Sequence, residues 1–302
     1  MQESGCHVQP AVHCMEPLIF DVSQQEFMQK ISRYFRAATG LALMSSCLVL
    51  AQTSTQNISA DTFRPLLSAP HRSQANVVRD PYRHPAETLA FFGIQATSHV
   101  VEILPGSSGY YMEILAPWLK DKGGYIAASR DDSLPQYVPD HQKLLQRLKD
   151  EADVYSKVVV TQFRANQHPI APPGSADVVI SFRNLHNWME KNELQESLQA
   201  FYLALKPGGV LGIVDHRGRT DQTQAEQMTS GYVRQDVAIA AIEQAGFKLQ
   251  ASSEINANPK DTKDHPEGVW TLPPSYRMKE KDREKYAAIG ESDRFTLRFI
   301  KP

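Results

Sequence analysis

One histidine stands in unusual company. Residues 183–188 read Arg, Asn, Leu, His, Asn, Trp. His186 can take a proton near neutral pH. Arg183 and Asn184 can hold carboxylate, phosphate or amide groups, and Asn187 adds a second amide. Trp188 offers a large apolar wall able to stack on a cation. A capped helix start with a buried aromatic is the competing account of the same residues. A second group lies at residues 102–109: Glu102 at the end of an apolar run, then Gly106, Ser108 and Gly109. A carboxylate inside such a run needs a reason, and the glycines allow a tight turn that another molecule can approach closely. Asp131 and Asp132 form a third group, and Asp215, His216 and Arg217 a fourth. A carboxylate can accept two hydroxyl hydrogen bonds, although an Asp-rich turn reads the same way.

Each group follows a stretch patterned as a buried strand. Short apolar runs at residues 98–104, 125–128, 157–162 and 176–182, and another closing at Asp215, alternate with helically spaced stretches at 110–119, 139–154 and 234–245. That alternation predicts an α/β chain with a doubly wound, mostly parallel sheet. In such sheets ligands sit beyond the carboxyl ends of the strands, where all four groups fall. A sixth strand is expected over 245–255 and a seventh over 294–300. The long span between them, 256–293, is read as a lid or pocket wall from its length and aromatic content, with its charged run 279–285 as a solvated helix face. Ahead of the first strand, Arg79, Tyr82, Arg83 and His84 read as a solvated cover, with pocket lining as the other reading. A short helix starts at Pro85.

Residues 177–188, then a helix, then Leu205-Lys-Pro-Gly-Gly-Val-Leu-Gly-Ile-Val-Asp215, resemble the second half of the class I S-adenosylmethionine (SAM) methyltransferases. Glu102, Leu104, Gly106 and Ser108 fall on that family's acidic-x-Gly-x-Gly-x-Gly motif, with two glycines replaced and Gly109 one place late. The resemblance covers residues 79–302 and is closest to an exported group with a Pro-Gly-x-x-Gly-Tyr loop. It implies a seven-stranded Rossmann-like sheet whose last strand runs antiparallel beside the fifth. It implies SAM as cofactor, with Glu102, Gly106, Ser108 and Gly109 at the methionine end, Asp131 or Asp132 at the ribose, and Arg183 and Asn184 alongside. His186 matches the general base of the His-Asp-Trp segment in small-molecule O-methyltransferases, with Asn187 in place of the acid. Asn187, Trp188, His216 and Arg217 are then expected around a small-molecule acceptor. No metal is expected; His186, Asp215 and His216 could make a metal cage only if the fold brings them together. A non-catalytic ligand-binding protein on the same scaffold is the alternative. A nicotinamide oxidoreductase is disfavoured, because Leu104 stands where the dinucleotide fingerprint has its first glycine.

The 302 residues are 41% hydrophobic and 22% charged, the composition of an ordinary globular protein. A net charge of −2 gives no basic surface for nucleic acid. Residues 1–51 read as an extension and signal peptide. Lys30, Arg33 and Arg36 precede an apolar run too short for a membrane span, with Met28 as the expected initiator and Gln52 as the mature start. The expected location is exported, periplasmic, with lipid anchoring through Cys47 as a variant. Cys6, Cys14 and Cys47 all precede the cut, so the mature chain would have no cysteine chemistry. Residues 52–78 are expected to be a flexible lead-in.

Overall fold

A seven-stranded sheet organises the described residues, 58–165 and 169–302, of the computed structural model. Its strands are β1 (His99–Ile103), β2 (Gly124–Arg130), β3 (Val159–Phe163), β4 (Ala176–Phe182), β5 (Leu205–His216), β6 (Lys248–Ser253) and β7 (Arg294–Ile300). They lie in the order β3-β2-β1-β4-β5-β7-β6. The pairs from β3 to β5 are parallel, and β7 runs antiparallel between β5 and β6. This is the expected Rossmann-like methyltransferase sheet, with the reversed strand in the expected place.

Burial explains the central strands. Val101 and Ile103 face one core with Leu211, Ile213 and Leu297, while Val100 and Ile180 face the other with Phe92 and Ile114. Such strands need apolar residues on both faces, which the runs in β1, β4 and β5 supply. Each fully buried aliphatic or phenyl side chain contributes about 2 kcal/mol through lost apolar exposure. The helices Pro85–Phe92 and Met112–Leu119 pack on one face, and Leu194–Ala204 and Gln235–Gln244 on the other.

Several expected boundaries move. Strand two extends through Arg130, so Asp131 directly follows it. The helix expected over 139–154 runs Val138–Asp150 and is interrupted at Glu151 (φ −110°, ψ 39°) before Ala152–Tyr155. The Lys-Pro-Gly-Gly stretch belongs to β5 rather than preceding it, with a register shift between Ala176 and Val178 on its partner. The lead-in expected to be flexible instead contains the helical turns Ala60–Thr62, Arg64–Leu67 and Gln74–Val77, and Phe63 among them is fully buried. The expected signal segment, the expected cleavage site and the three cysteines lie outside the described residues. Among the described residues no helix is long and apolar enough to cross a membrane.

Candidate active site

The carboxyl ends of β1, β4 and β5 are adjacent in the sheet, so the second and fourth groups of candidates meet the first, the His186 segment, at one edge. Asn184, 7% exposed, ties the first two together: its Nδ2 donates to the Ile103 carbonyl at 3.4 Å and to Ser181 Oγ at 3.3 Å. Both Leu104 (φ 52°) and Arg183 (φ 60°) leave their strands in the left-handed region. The first glycine of the resembled motif would sit at Leu104, and the leucine keeps the glycine-like turn at a cost of order 1–2 kcal/mol. Leu104 N–H still donates to the Ala128 carbonyl at 2.8 Å.

His186 lies in the helix Leu185–Glu190, directly after β4. Its Nδ1 is 3.2 Å from Asp215 Oδ1, at the end of β5. Asp215 also accepts the backbone N–H groups of Leu185 and His216, each at 2.7 Å, and is fully buried. Facing an acceptor-only carboxylate, Nδ1 carries the hydrogen, and Nε2 keeps its lone pair for a proton. The acid missing from position 187 in sequence is therefore supplied by the next strand in space. The sequence signal was present: an aspartate closing an apolar strand on the ligand edge.

Beside this pair lies His216, whose ring centroid is 5.4 Å from that of His186 and whose Nδ1 meets Ser292 Oγ at 2.5 Å. Burial, then His186, Arg183, Arg294 and Arg83, hold the His216 imidazole well below the ordinary histidine range, so it stays neutral. The side chains of His186, Asp215 and His216 offer three metal-ligand atoms within 4.8 Å of one another. Both Asp215 oxygens already accept hydrogen bonds. The arginines that depress His216 would also repel a divalent cation.

Other candidates are placed differently from the expectation. Trp188 is 4% exposed and packs against Phe163 and Phe201 at 5.5 and 5.4 Å, so it belongs to the core and lines no site. The aromatic wall comes instead from Trp270 in the span 256–293, 6.0 Å from His186 between ring centroids. Arg277 stacks over Trp270 at 4.4 Å. Arg217 is turned away to Glu254 at 2.6 Å and lies 4.0 Å from Asp293. Asn187 is half-buried one step around the helix from His186, and its side chain makes no hydrogen bond among the described residues.

At β1, Glu102 is 3% exposed and accepts from Tyr125 Oη at 2.5 Å, on the face opposite Ile103. Burial pushes its carboxyl up to about 7 against the opposing pull of that hydrogen bond and of Arg83. Gly106 takes φ 67° with nothing within 4 Å of where a Cβ would stand, so the turn offers open backbone. Ser108 is exposed, and its carbonyl is held by Asn76 at 2.9 Å and Arg147 at 2.6 Å. Gly109 takes φ 51°, a conformation that favours glycine, and a Cβ there would come within 2.6 Å of Met112 Cε. Of the two acids after β2, Asp131 is 2% exposed and caps its own turn through Ser133 N–H at 2.9 Å. Asp132 is exposed and turns to Gln162 and His141, away from Asp131.

The solvated cover expected at residues 79–84 is partly buried in the site. Arg83 is 3% exposed and stacks over Tyr110 at 4.4 Å. Arg79, Arg83 and Arg294 all contact Glu291, at 2.7, 3.2 and 3.0 Å. Burial alone would raise the Glu291 carboxyl; Arg83, Arg294, Arg79 and Arg183 outweigh it and hold it down at about 2.

No protein-family model matches the chain, and no curated protein does. Among solved structures, a SAM-dependent methyltransferase from Aquifex aeolicus aligns at a TM-score of 0.51 with 15% identity, over 81% of this chain and 100% of that one. Phosphoethanolamine N-methyltransferase 2 of Haemonchus contortus, in complex with SAM, aligns at 0.47 with 16% identity, over 73% of this chain and 53% of that one. The first likeness establishes the class I methyltransferase fold; the second carries no further weight. Fold alone does not fix chemistry.

Proposed function

We propose that this chain is a SAM-dependent methyltransferase acting on a small-molecule acceptor, with His186 as general base and Asp215 as its positioning residue. The observation that carries the reading is the His186–Asp215 pair, 3.2 Å apart, on the same sheet edge as the open Gly106 turn. The residues present fit the cofactor: an unobstructed backbone turn at Gly106 for its methionine end and a buried carboxylate, Asp131, at the end of β2 for its ribose hydroxyls. When bound, SAM supplies an electrophilic methyl group.

The chain's own part is proton removal, alignment and exclusion of water. His186 Nε2 takes the proton from the acceptor's nucleophilic atom as that atom attacks. Asp215 keeps the Nδ1 hydrogen in place and balances the imidazolium that forms, as an aspartate does in hydrolase triads. Neutral His216 lies beside the pair without repelling it, and Trp270 shields the ring from water.

His186→Ala should lower turnover about 100-fold or more, with SAM affinity within about twofold of wild type. Asp215→Asn should lower turnover by a smaller factor and leave SAM affinity equally intact. Calorimetry with SAM and detection of S-adenosylhomocysteine with candidate acceptors measure both. Unchanged turnover in His186→Ala removes this residue from the chemistry. No SAM binding by the purified chain favours the alternative, a ligand-binding protein on this scaffold, for which Leu104 in the glycine position is the supporting feature. We also propose export to the periplasm. N-terminal sequencing of the cellular protein tests it, with Gln52 expected as the first residue.

A further inference from the structure

Three arginines contact one carboxylate, Glu291, and a fourth, Arg183, acts on it electrostatically, at the edge that carries His186. Arg79 and Arg83 come from the segment ahead of the helix Pro85–Phe92, Arg183 from the end of β4 and Arg294 from the start of β7. Arg294 stands opposite His216 in the β5–β7 register, and Arg183 is three residues before His186. Glu291 bonds three of the four, so its charge is already shared. Glu102 faces Arg83 but holds its proton up to about pH 7, so it is a weak counter-charge at neutral pH.

Two facts indicate that the group lacks an anion. Arg79 Nη2 and Arg83 Nη2 are buried with no hydrogen-bond partner, although Arg83 is 3% exposed. Buried donors are ordinarily satisfied, and leaving one unpaired costs about 1–3 kcal/mol. Arg183 has no acceptor for its guanidinium among the described residues, while retaining partial access to solvent. Burial, and then Arg83, Arg79 and Arg294 against the opposing pull of Glu291, push it down to about 9, far below an ordinary arginine. A cluster built only for stability would pair such a cation or replace it by an apolar residue.

We propose that Arg183, with Arg79 and Arg83, forms the binding site for an anionic group, a carboxylate or phosphate, on the molecule that His186 deprotonates. Arginine forks match the two-oxygen edge of either group, and three of them around one anion fix its orientation. The acceptor is then an anion whose nucleophilic atom reaches His186 while its charge is held at Arg183. This proposal rests on the methyltransferase reading for the word acceptor, but the anion site itself does not. The same chemistry could come from the carboxylate of SAM, so the test separates the two sources.

The probes are inorganic phosphate and SAM, each titrated calorimetrically into wild type, Arg183→Met and Arg183→Lys, with melting curves alongside. Wild type should bind phosphate saturably and melt higher in its presence. Arg183→Met should lose phosphate affinity at least tenfold, Arg183→Lys should lose less because the charge stays while the fork is lost, and SAM affinity should stay within about twofold in both. Without any anion, Arg183→Met should melt at or above wild type, because a like charge has been removed. Phosphate that neither binds nor shifts the melting curve of wild type overturns the proposal, as does equal phosphate affinity in Arg183→Met. A tenfold loss of SAM affinity in Arg183→Met with phosphate binding unchanged also overturns it, by assigning the guanidinium to the cofactor. Phosphate binding that depends on Arg183, in a chain that does not bind SAM, upholds the anion site and removes the methyltransferase reading instead.

Discussion

Glu102 and Asp215 are both carboxylates in strands of the sheet, and their surroundings give them opposite characters. Asp215 receives two backbone N–H groups and an imidazole, so its oxygens are fixed as acceptors. Glu102 receives one phenol and is otherwise desolvated, which pushes it from its ordinary 4.5 up to about 7. The folded chain therefore binds this proton more tightly than the unfolded one. The stabilisation is complete below the unfolded value and is lost as pH rises through the folded one. Glu102→Gln keeps the shape without the charge. Its melting temperature should vary less than that of wild type between about pH 4.5 and about pH 7. Above that range it should be the more stable of the two, by an amount on the order of 3 kcal/mol. Melting curves across this range decide the matter, and a wild type that outlasts the variant at alkaline pH contradicts it. At this scale the sequence was a partial guide. The positions of His186 and Asp131 followed from strand ends, but Trp188 could not be told from Trp270, because an aromatic after a strand reads alike whether it turns inward or toward a ligand.

Among the elements, the span 256–293 is the one that local pattern described least. It has few apolar periods, and what orders it is polar and long-range. Asp261 accepts from Tyr232 Oη at 2.9 Å, lies 2.8 Å from His265 Nε2 and accepts from Asp293 N–H at 2.8 Å. Lys263 pairs with Asp293 at 2.9 Å. Such contacts leave no period in a sequence, whereas β4 announces itself by the apolar run at residues 178–180 and β7 by the alternation of Phe295, Leu297 and Phe299 with polar residues. The anchoring is independent of Trp270, which touches His186 and Arg277. Trp270→Ala should therefore lower kcat/KM for the eventual acceptor about tenfold while shifting the melting temperature little, as steady-state kinetics and a melting curve would read. A large loss of stability with unchanged kinetics would make Trp270 a packing residue instead.

Taken whole, the chain is closed by Glu291. Glu291 accepts from Arg79 and Arg83, 212 and 208 residues earlier in the segment ahead of the first strand, and from Arg294 in the last strand. Glu291→Gln leaves those arginines without their shared counter-charge in a site where Glu291 itself is 4% exposed. Breaking a buried pair from one side costs roughly 3–5 kcal/mol. The variant should melt correspondingly lower, and added phosphate should restore part of the loss by occupying the same cluster; a variant as stable as wild type would show the closure to be incidental. The doubly wound order and the reversed last strand were legible, because they follow from the sequence of apolar runs and the resemblance they carry. The arginine cluster was not: its members are separated by up to 215 positions, from Arg79 to Arg294 (294 − 79), and only the folded sheet edge gathers them.

The direction of β7 has a design consequence. Running against its neighbours, it begins at the edge where they finish, so whatever chain leads into it must arrive over that edge. The part of that stretch around Trp270 can change while the seven strands stay as they are, provided the Glu291 and Asp261 contacts are kept. A chain of this fold that accommodates another guest would need to rewrite only this approach path, leaving the His186–Asp215 pair at the ends of β4 and β5 in place.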